Sequence, residues 1–434
     1  MKSLLDKVNT KLNAQGGFLK AVSILVGGTA FAQGIAILAL PILTRLYTPE
    51  EFSLFAIYTS LLLTLSVASC LRFEIAIPIP ESDNEAIHLV LLAVLSNLVI
   101  SLLIGLIIWV FHSEIILLLK QPDFTSLIWL VPLGVFSAGL YSTFQYWATR
   151  KKQFPIIAKS RMVQSISGVS VQLAMGVIGF AALGLIVGQI IKVSAGIWQL
   201  VVNFLHDASR VIRTTTFHQL KQVFKKNNQF PKYSALEALA NSAAIQLPVV
   251  IIAAISLDAE AGFLMLAMQI MAIPISFIGA AVSQVYLAHA PEKYSRGELT
   301  QYTYECILQL IKVGIIPLSI ICFLAPTIVP FIFGEVWQRT GEMMLWMLPW
   351  FIMQFLVSPV SMSLHITGHQ KVALILQIFG LIIRVGGLYL FSIFMVSRMF
   401  EYYAFSGFIF YSIYLFIVFL IVKGSDKEFK RVNV

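Results

Sequence analysis

Residues 86–111 read AIHLVLLAVLSNLVISLLIGLIIWVF, 26 positions without a single Asp, Glu, Lys or Arg. As a helix this run is about 39 Å long, and the hydrocarbon core of a bilayer is about 30 Å thick. It is apolar nearly all round, so no stripe is left to face water, as a soluble amphipathic helix requires. Asp83 and Glu85 mark one end and His112 and Glu114 the other. Residues 86–111 therefore read as a membrane span.

The pattern recurs from end to end. The 434 residues are 58% hydrophobic and only 12% charged, with a mean hydropathy of +0.86. Soluble chains are about one quarter charged. Spans are predicted at 20–45, 51–77, 86–111, 124–148, 156–180, 182–205, 233–257, 260–288, 303–331, 341–366, 371–396 and 401–423. The expected class is an all-α polytopic membrane protein with about twelve transmembrane helices. Cys70, Cys306 and Cys322 all lie in or near apolar segments. Three cysteines without paired spacing give neither a disulfide framework nor a zinc site.

A net charge of +9 invites a nucleic-acid reading, but the distribution opposes it. The cations sit in short loops between spans, where they report orientation. With the N-terminus inside, twenty-three of the 30 Lys and Arg fall on the inner side. Only Arg45, Lys120, Arg339 and Arg398 fall outside, and Lys192, Lys312 and Arg384 lie within spans. Both termini are therefore expected in the cytoplasm. At the N-terminus, Leu4, Leu5, Val8 and Leu12 share one helical face, so residues 1–19 are expected to lie on the membrane surface.

A long basic stretch, His206 to Lys232, divides the series. The expected organisation is a first six-helix lobe at 20–205, a cytoplasmic linker at 206–232, a second lobe at 233–423 and a tail at 424–434. Weak internal similarity supports a repeat. Thr149 to Lys152 precedes a span with Gln164 and Gly168, and Thr367 to Lys371 precedes one with Gln377 and Gly380. Pro41 and Pro248 fall late in the first span of each half.

Arg45-Leu-Tyr-Thr-Pro-Glu-Glu-Phe52 resembles the first outer turn of the Wzx-type polysaccharide flippases, which export lipid-linked oligosaccharides. Arg72-Phe-Glu-Ile-Ala-Ile77, followed by Asp83, Glu85 and Ala86, is similar to that family's acidic connection between spans two and three. The basic loop Arg150 to Lys152 and the central basic stretch match its layout. Ser53 stands where the family often has Gly. The resemblance implies the MATE-like fold of the multidrug/oligosaccharidyl-lipid/polysaccharide (MOP) superfamily, two lobes around a central cavity working by alternating access. It implies a bacterial inner-membrane location. It also implies partners: a polyprenyl-pyrophosphate-linked oligosaccharide, membrane lipids, and the polymerase and chain-length regulator of the same pathway. No nucleic acid and no cofactor are expected, beyond coupling to a proton or sodium gradient.

A cation inside a span costs about 2.5–3.5 kcal/mol on insertion scales, so it normally faces a cavity or a partner. Lys192 shares a helical face with Gly188, Gln189, Gly196 and Gln199, and Arg384 with Gln377, Gly380 and Gly387. Lys312 lines up with Glu305, which offers it a local ion pair. With Arg45 at the outer turn, these form the candidate set for an anionic pyrophosphate. Glu237, with Asn241, Ala244 and Pro248 on its face, is the candidate coupling carboxylate, its alternative being a pair with Lys226 or Lys232. Arg72 and Glu74 are candidate gate residues. Two positions apart, they do not share a helical face, and a solvated helix end is the competing reading. Trp337, Trp346 and Trp350 are candidates for an interfacial aromatic belt.

No phosphate-cradling P-loop is present, so the chain is not expected to hydrolyse ATP or to be an enzyme. A MATE-like cation-coupled multidrug antiporter is the nearest rival reading, although the deep charges here are mainly basic. A membrane glycan polymerase or ligase is the rival from another class, but no outer loop has the size such enzymes carry.

Overall fold

The computed structural model describes residues 17–256, 259–275 and 279–432, which leaves most of the predicted N-terminal surface segment outside the described residues. Among those described there is no strand. The principal helices run α1 (Gly17–Leu46), α2 (Pro49–Ser69), α3 (Asp83–Val110), α4 (Leu130–Arg150), α5 (Phe154–Ile178), α6 (Ala181–Ser194), α7 (Ile197–Thr214), α8 (Phe217–Lys226) and α9 (Ala235–Ile255). They continue as α10 (Glu260–Pro274), α11 (Ala280–Tyr294), α12 (Leu299–Leu310), α13 (Ile316–Phe333), α14 (Gln338–Val360), α15 (Gln370–Leu381), α16 (Gly387–Phe394) and α17 (Met399–Val432). Among the described residues, ten helical stretches are long and apolar enough to cross a membrane. The other two predicted spans are helical as well, at α5 and at the shorter α10.

The chain packs into two compact units. The first comprises residues up to Tyr47, Leu61–Leu117 and Pro122–Leu239. Its core gathers Phe73, Ala76, Val90, Trp147, Leu200 and Phe204. The second comprises Thr48–Ser60, Leu118–Gln121 and everything from Ala240 onward. Tyr286, Leu310, Phe355, Val360, Tyr414 and Val418 form its core.

The Thr48-Pro-Glu-Glu sequence explains where α2 begins. Thr48 is the cap, Pro49 takes the first helical position, and Glu51 closes a capping box. The Thr48 amide donates to Glu51 Oε2 at 2.8 Å, and the Glu51 amide donates to Thr48 Oγ1 at 3.3 Å. Phe52 follows, buried edge-to-face on Trp337 with ring centres 4.9 Å apart. Gly262 on α10 allows this approach, because a Cβ there would strike the Pro49 carbonyl.

Several predicted spans are not continuous. The second stops at Ser69. Leu71 and Arg72 then adopt left-handed conformations before a short helix, Phe73–Ala76. The sixth breaks at Ala195–Gly196, dividing α6 from α7. Gly196 has φ +85°, and a Cβ on it would meet Ser160 of α5. The ninth and eleventh each contain a wide π-type turn, Ile311–Ile315 and Ile382–Gly386. Nor is the central basic stretch a loop: α7 runs on to Thr214, and Thr216 caps α8 through a second capping box with Gln219.

Gly262→Val should destabilise the purified protein by roughly 3 kcal/mol, as overpacking against backbone does. Gly27→Val, at a glycine with open space around its Cβ position, should leave stability nearly unchanged. Thermal unfolding in detergent measures both. Equal stability of the two variants would remove the Gly262 contact as the constraint on α2.

Candidate functional site

In the first unit Lys192 lies in the last turn of α6, just before the helix breaks. The free carbonyls of a helix end carry partial negative charge, which favours a cation there. Its stem crosses α5 at Gly168, where a Cβ would collide with the Lys192 Cβ. Gly188 makes the reciprocal notch beside Gln172, whose Nε2 donates to the Leu185 carbonyl at 3.2 Å. Among the described residues no carboxylate pairs with Lys192. The result is a half-buried cation, without a counter-ion, at an interrupted helix lined by glycine and glutamine.

Arg384, in the second unit, is solved differently. It is only 1% exposed and sits in the π-type turn between α15 and α16. Its guanidinium carbon lies 4.6 Å from the Trp350 ring centre and 4.9 Å from that of Tyr403. Its Nη2 donates to Tyr403 Oη at 2.8 Å, and Tyr403 donates onward to the Ile245 carbonyl at 3.1 Å. Gly407 leaves room for the Trp350 ring against α17. Arg384 Nε, Trp350 Nε1 and Gln354 Oε1 are buried without partners among the described residues. This is an aromatic box around a cation, closed to solvent.

The remaining candidates separate. Lys312 stands exposed in its π-type turn, and the ion pair offered by Glu305 does not form, since Glu305 accepts from Gln301 Nε2 at 2.9 Å. Arg45 is exposed at the end of α1. Glu237 is half-buried and Asn241 exposed. Lys226, one of the cations expected near Glu237, pairs instead with Glu85 at 2.8 Å.

Arg72 and Glu74 do meet, at 3.6 Å, because the left-handed turn overrides the helical spacing that would point them apart. Glu74 is 4% exposed and lies in the first unit's packed interior, so this is no solvated helix end. Burial pushes its carboxyl above the ordinary value, against a backbone hydrogen bond and Arg72, which lower it. The following loop is clamped by Arg150, whose guanidinium bonds Asp83 at 3.0 Å and the carbonyls of Ile77, Pro80 and Glu81. Lys151 also bonds Asp83 while standing over the Trp147 ring.

Sequence reading found neither the aromatic box nor the helix break. Trp337 and Trp350 are buried, and only Trp346 is exposed, so the first two do not form an interfacial belt. Aromatic residues make up 12% of the chain, which hides the two that matter at Arg384. Gly196, four residues after Lys192, was the available signal for the break.

Arg384→Lys should lower thermal stability by about 2 kcal/mol and alter tryptophan emission, because an ammonium cannot keep both the stack and the Tyr403 bond. Unchanged stability and emission would refute the box. Glu74 gives a pH test. A carboxyl with a raised folded-state pKa stabilises below its unfolded pKa and loses that stabilisation as pH rises through the folded value. Glu74→Gln removes the titration, so the melting temperature of the variant minus that of wild type should increase with pH across this window. A flat difference would show that Glu74 does not titrate there.

A family profile described as "Polysaccharide biosynthesis protein" matches residues 42–342. No curated protein matches the sequence. Among solved structures, the chain is similar to an inward-facing multidrug resistance MATE family transporter of the MOP superfamily, at 14% identity and TM-score 0.70, over 95% of this chain and 99% of that one. An outward-facing form matches at 14% identity and TM-score 0.58, over 95% and 96%. The Vibrio cholerae MATE transporter VcmN matches at 11% identity and TM-score 0.57, over 92% and 95%. At such low identity the structural match establishes the fold alone, and the profile establishes the family. The chain belongs to the polysaccharide biosynthesis protein family and has the all-helical membrane fold of the MOP superfamily.

Proposed function

We propose that the protein is a flippase that moves a polyprenyl-pyrophosphate-linked oligosaccharide across the bacterial inner membrane by alternating access, with both termini in the cytoplasm. The observation that carries the reading is Lys192: a cation without a carboxylate partner among the described residues, at a broken helix, in a chain of a polysaccharide biosynthesis family. A pyrophosphate brings roughly two negative charges, and one charge in hydrocarbon is already costly enough to make unassisted flipping negligible. An interrupted helix supplies polar groups at membrane depth only where they are buried or line a hydrated space. Lys192 offsets the headgroup charge, half-buried Gln189 borders the hydrated region, and the lipid tail stays in the bilayer. Lys312 and Arg45, both exposed, serve the same anion along its path. Arg384, closed within its aromatic box, acts as a positioning residue.

Coupling to a proton or sodium gradient is assigned in this reading to Glu237, with Asn241 one turn further along α9. The rival antiporter reading needs carboxylates free to hold a cationic drug. In the second unit Glu260, Glu342 and Glu401 instead converge on Arg339, at 3.0, 3.1 and 3.6 Å.

Deleting the gene should make lipid-linked oligosaccharide accumulate on the cytoplasmic leaflet, with loss of a surface glycan. In the complemented strain, Lys192→Gln should reduce export at least tenfold at normal protein abundance, and Lys192→Arg should retain more, as expected for a charge that offsets about 1.4 kcal/mol or more. A normal surface glycan with raised sensitivity to cationic dyes would award the function to the antiporter reading.

A further inference from the structure

The helix α8 has three differently occupied sides. Leu220 and Val223 pack against the first unit's core. Lys226 points elsewhere and pairs with Glu85 at the start of α3. The third side carries Phe217, Lys221 and Phe224 at i, i+4 and i+7, with Lys225 alongside, and helical geometry stacks these on one stripe. Phe217 is 81% exposed and Phe224 39%. Lys221 and Lys225 are exposed, and neither has an ion-pair partner among the described residues.

One largely exposed aromatic ring and a second partly exposed, beside two lysines without ion-pair partners among the described residues, are poorly placed for a soluble surface. They suit the boundary between acyl chains and headgroups, where rings sink and ammonium groups snorkel. The neighbouring helices put that boundary within reach. α7 exposes Trp198, Val202 and Leu205 in its first half, then Arg210 and Arg213 as it leaves the apolar region. Beyond α8 the chain exposes Tyr233 and Leu236 as it re-enters. Only Thr215 and Thr216 separate α7 from α8, so α8 cannot stand far from the membrane plane.

We infer that the Phe217–Lys221–Phe224–Lys225 stripe of α8 is a docking surface for an anionic lipid face. Phe217 and Phe224 enter the acyl boundary, while Lys221, Lys225 and Arg213 meet lipid phosphates. The same helix is tied to the Arg72–Glu74 turn, through Phe224, tilted against Phe73 with ring centres 5.5 Å apart, and through the Lys226–Glu85 pair. Lipid charge is thereby felt beside that turn.

The test uses full-length protein, its three buried cysteines replaced, labelled with an environment-sensitive dye at His218→Cys and reconstituted in vesicles. Brominated acyl chains should quench the dye several-fold more strongly in phosphatidylcholine–phosphatidylglycerol vesicles than in phosphatidylcholine alone. The paired substitution Lys221→Gln and Lys225→Gln should weaken the dependence on phosphatidylglycerol by roughly thirtyfold, the expected loss for two cations near such a surface. Phe217→Ser should reduce quenching in both lipids. Phe217, His218, Lys221 and Lys225 are all exposed, so their substitutions leave the core as it is in the cysteine-replaced parent, against which each variant is compared. Equal quenching in the two lipids, or free access of iodide to the dye in both, would overturn the proposal and leave the stripe to a soluble partner.

Discussion

A peptide group facing hydrocarbon has no water to bond, and this one constraint orders the whole molecule. It forces every span into helix and confines each interruption to a place where other protein atoms repair it. At the α6–α7 break the Ala195 amide still donates to the Ile191 carbonyl at 2.7 Å, and Gly196 is seated against Ser160 of α5. The turns at Ile311–Ile315 and Ile382–Gly386 widen the helix without abandoning its hydrogen bonds, as π-type turns at functional positions commonly do. Even the left-handed pair Leu71 and Arg72 is bracketed by backbone bonds, from the Leu71 amide to Ala68 and from the Phe73 amide to Cys70.

The three cations within spans show how the same cost is met in three ways. Lys192 uses the negative end of a helix. Arg384 uses aromatic faces and a tyrosine hydroxyl. Lys312 is exposed in a widened turn and is left to solvent or ligand. Two of the three thus sit in widened turns and the third at a break, so cation and backbone irregularity coincide each time. A side chain that needs polar company and a backbone that needs repair both require a gap in the apolar packing.

The polar cluster around Asp83 has a different character. Its carboxylate is half exposed, and exposed ion pairs contribute little to stability. Arg150 is the member that fixes geometry: it is largely buried and bonds the carbonyls of Ile77, Pro80 and Glu81 as well as the carboxylate. Arg72-Phe-Glu and Arg150-Lys-Lys, two motifs distant in sequence, thereby form one structure. Lys226 adds α8 to it through Glu85, so an exposed helix is held against the only left-handed turn of two consecutive non-glycine residues among those described.

Hydrophobic run length determined the fold class, because a span is a local property: some twenty apolar residues must become a helix wherever they meet lipid. Run length also set the approximate span positions, and helix-start chemistry was written locally at Thr48-Pro-Glu-Glu and Thr216-Phe-His-Gln. The cations at 192, 312 and 384 were conspicuous for the same reason, each a polar exception in an apolar run. What each cation touches was not local. The Trp350–Arg384–Tyr403 box joins positions 34 and 19 residues from the arginine, and the Arg72–Glu74 contact depends on a turn that helical periodicity forbids. Tertiary packing decided these, because only the surrounding chain supplies the burial that makes a strained turn or an aromatic box cheaper than the regular helix.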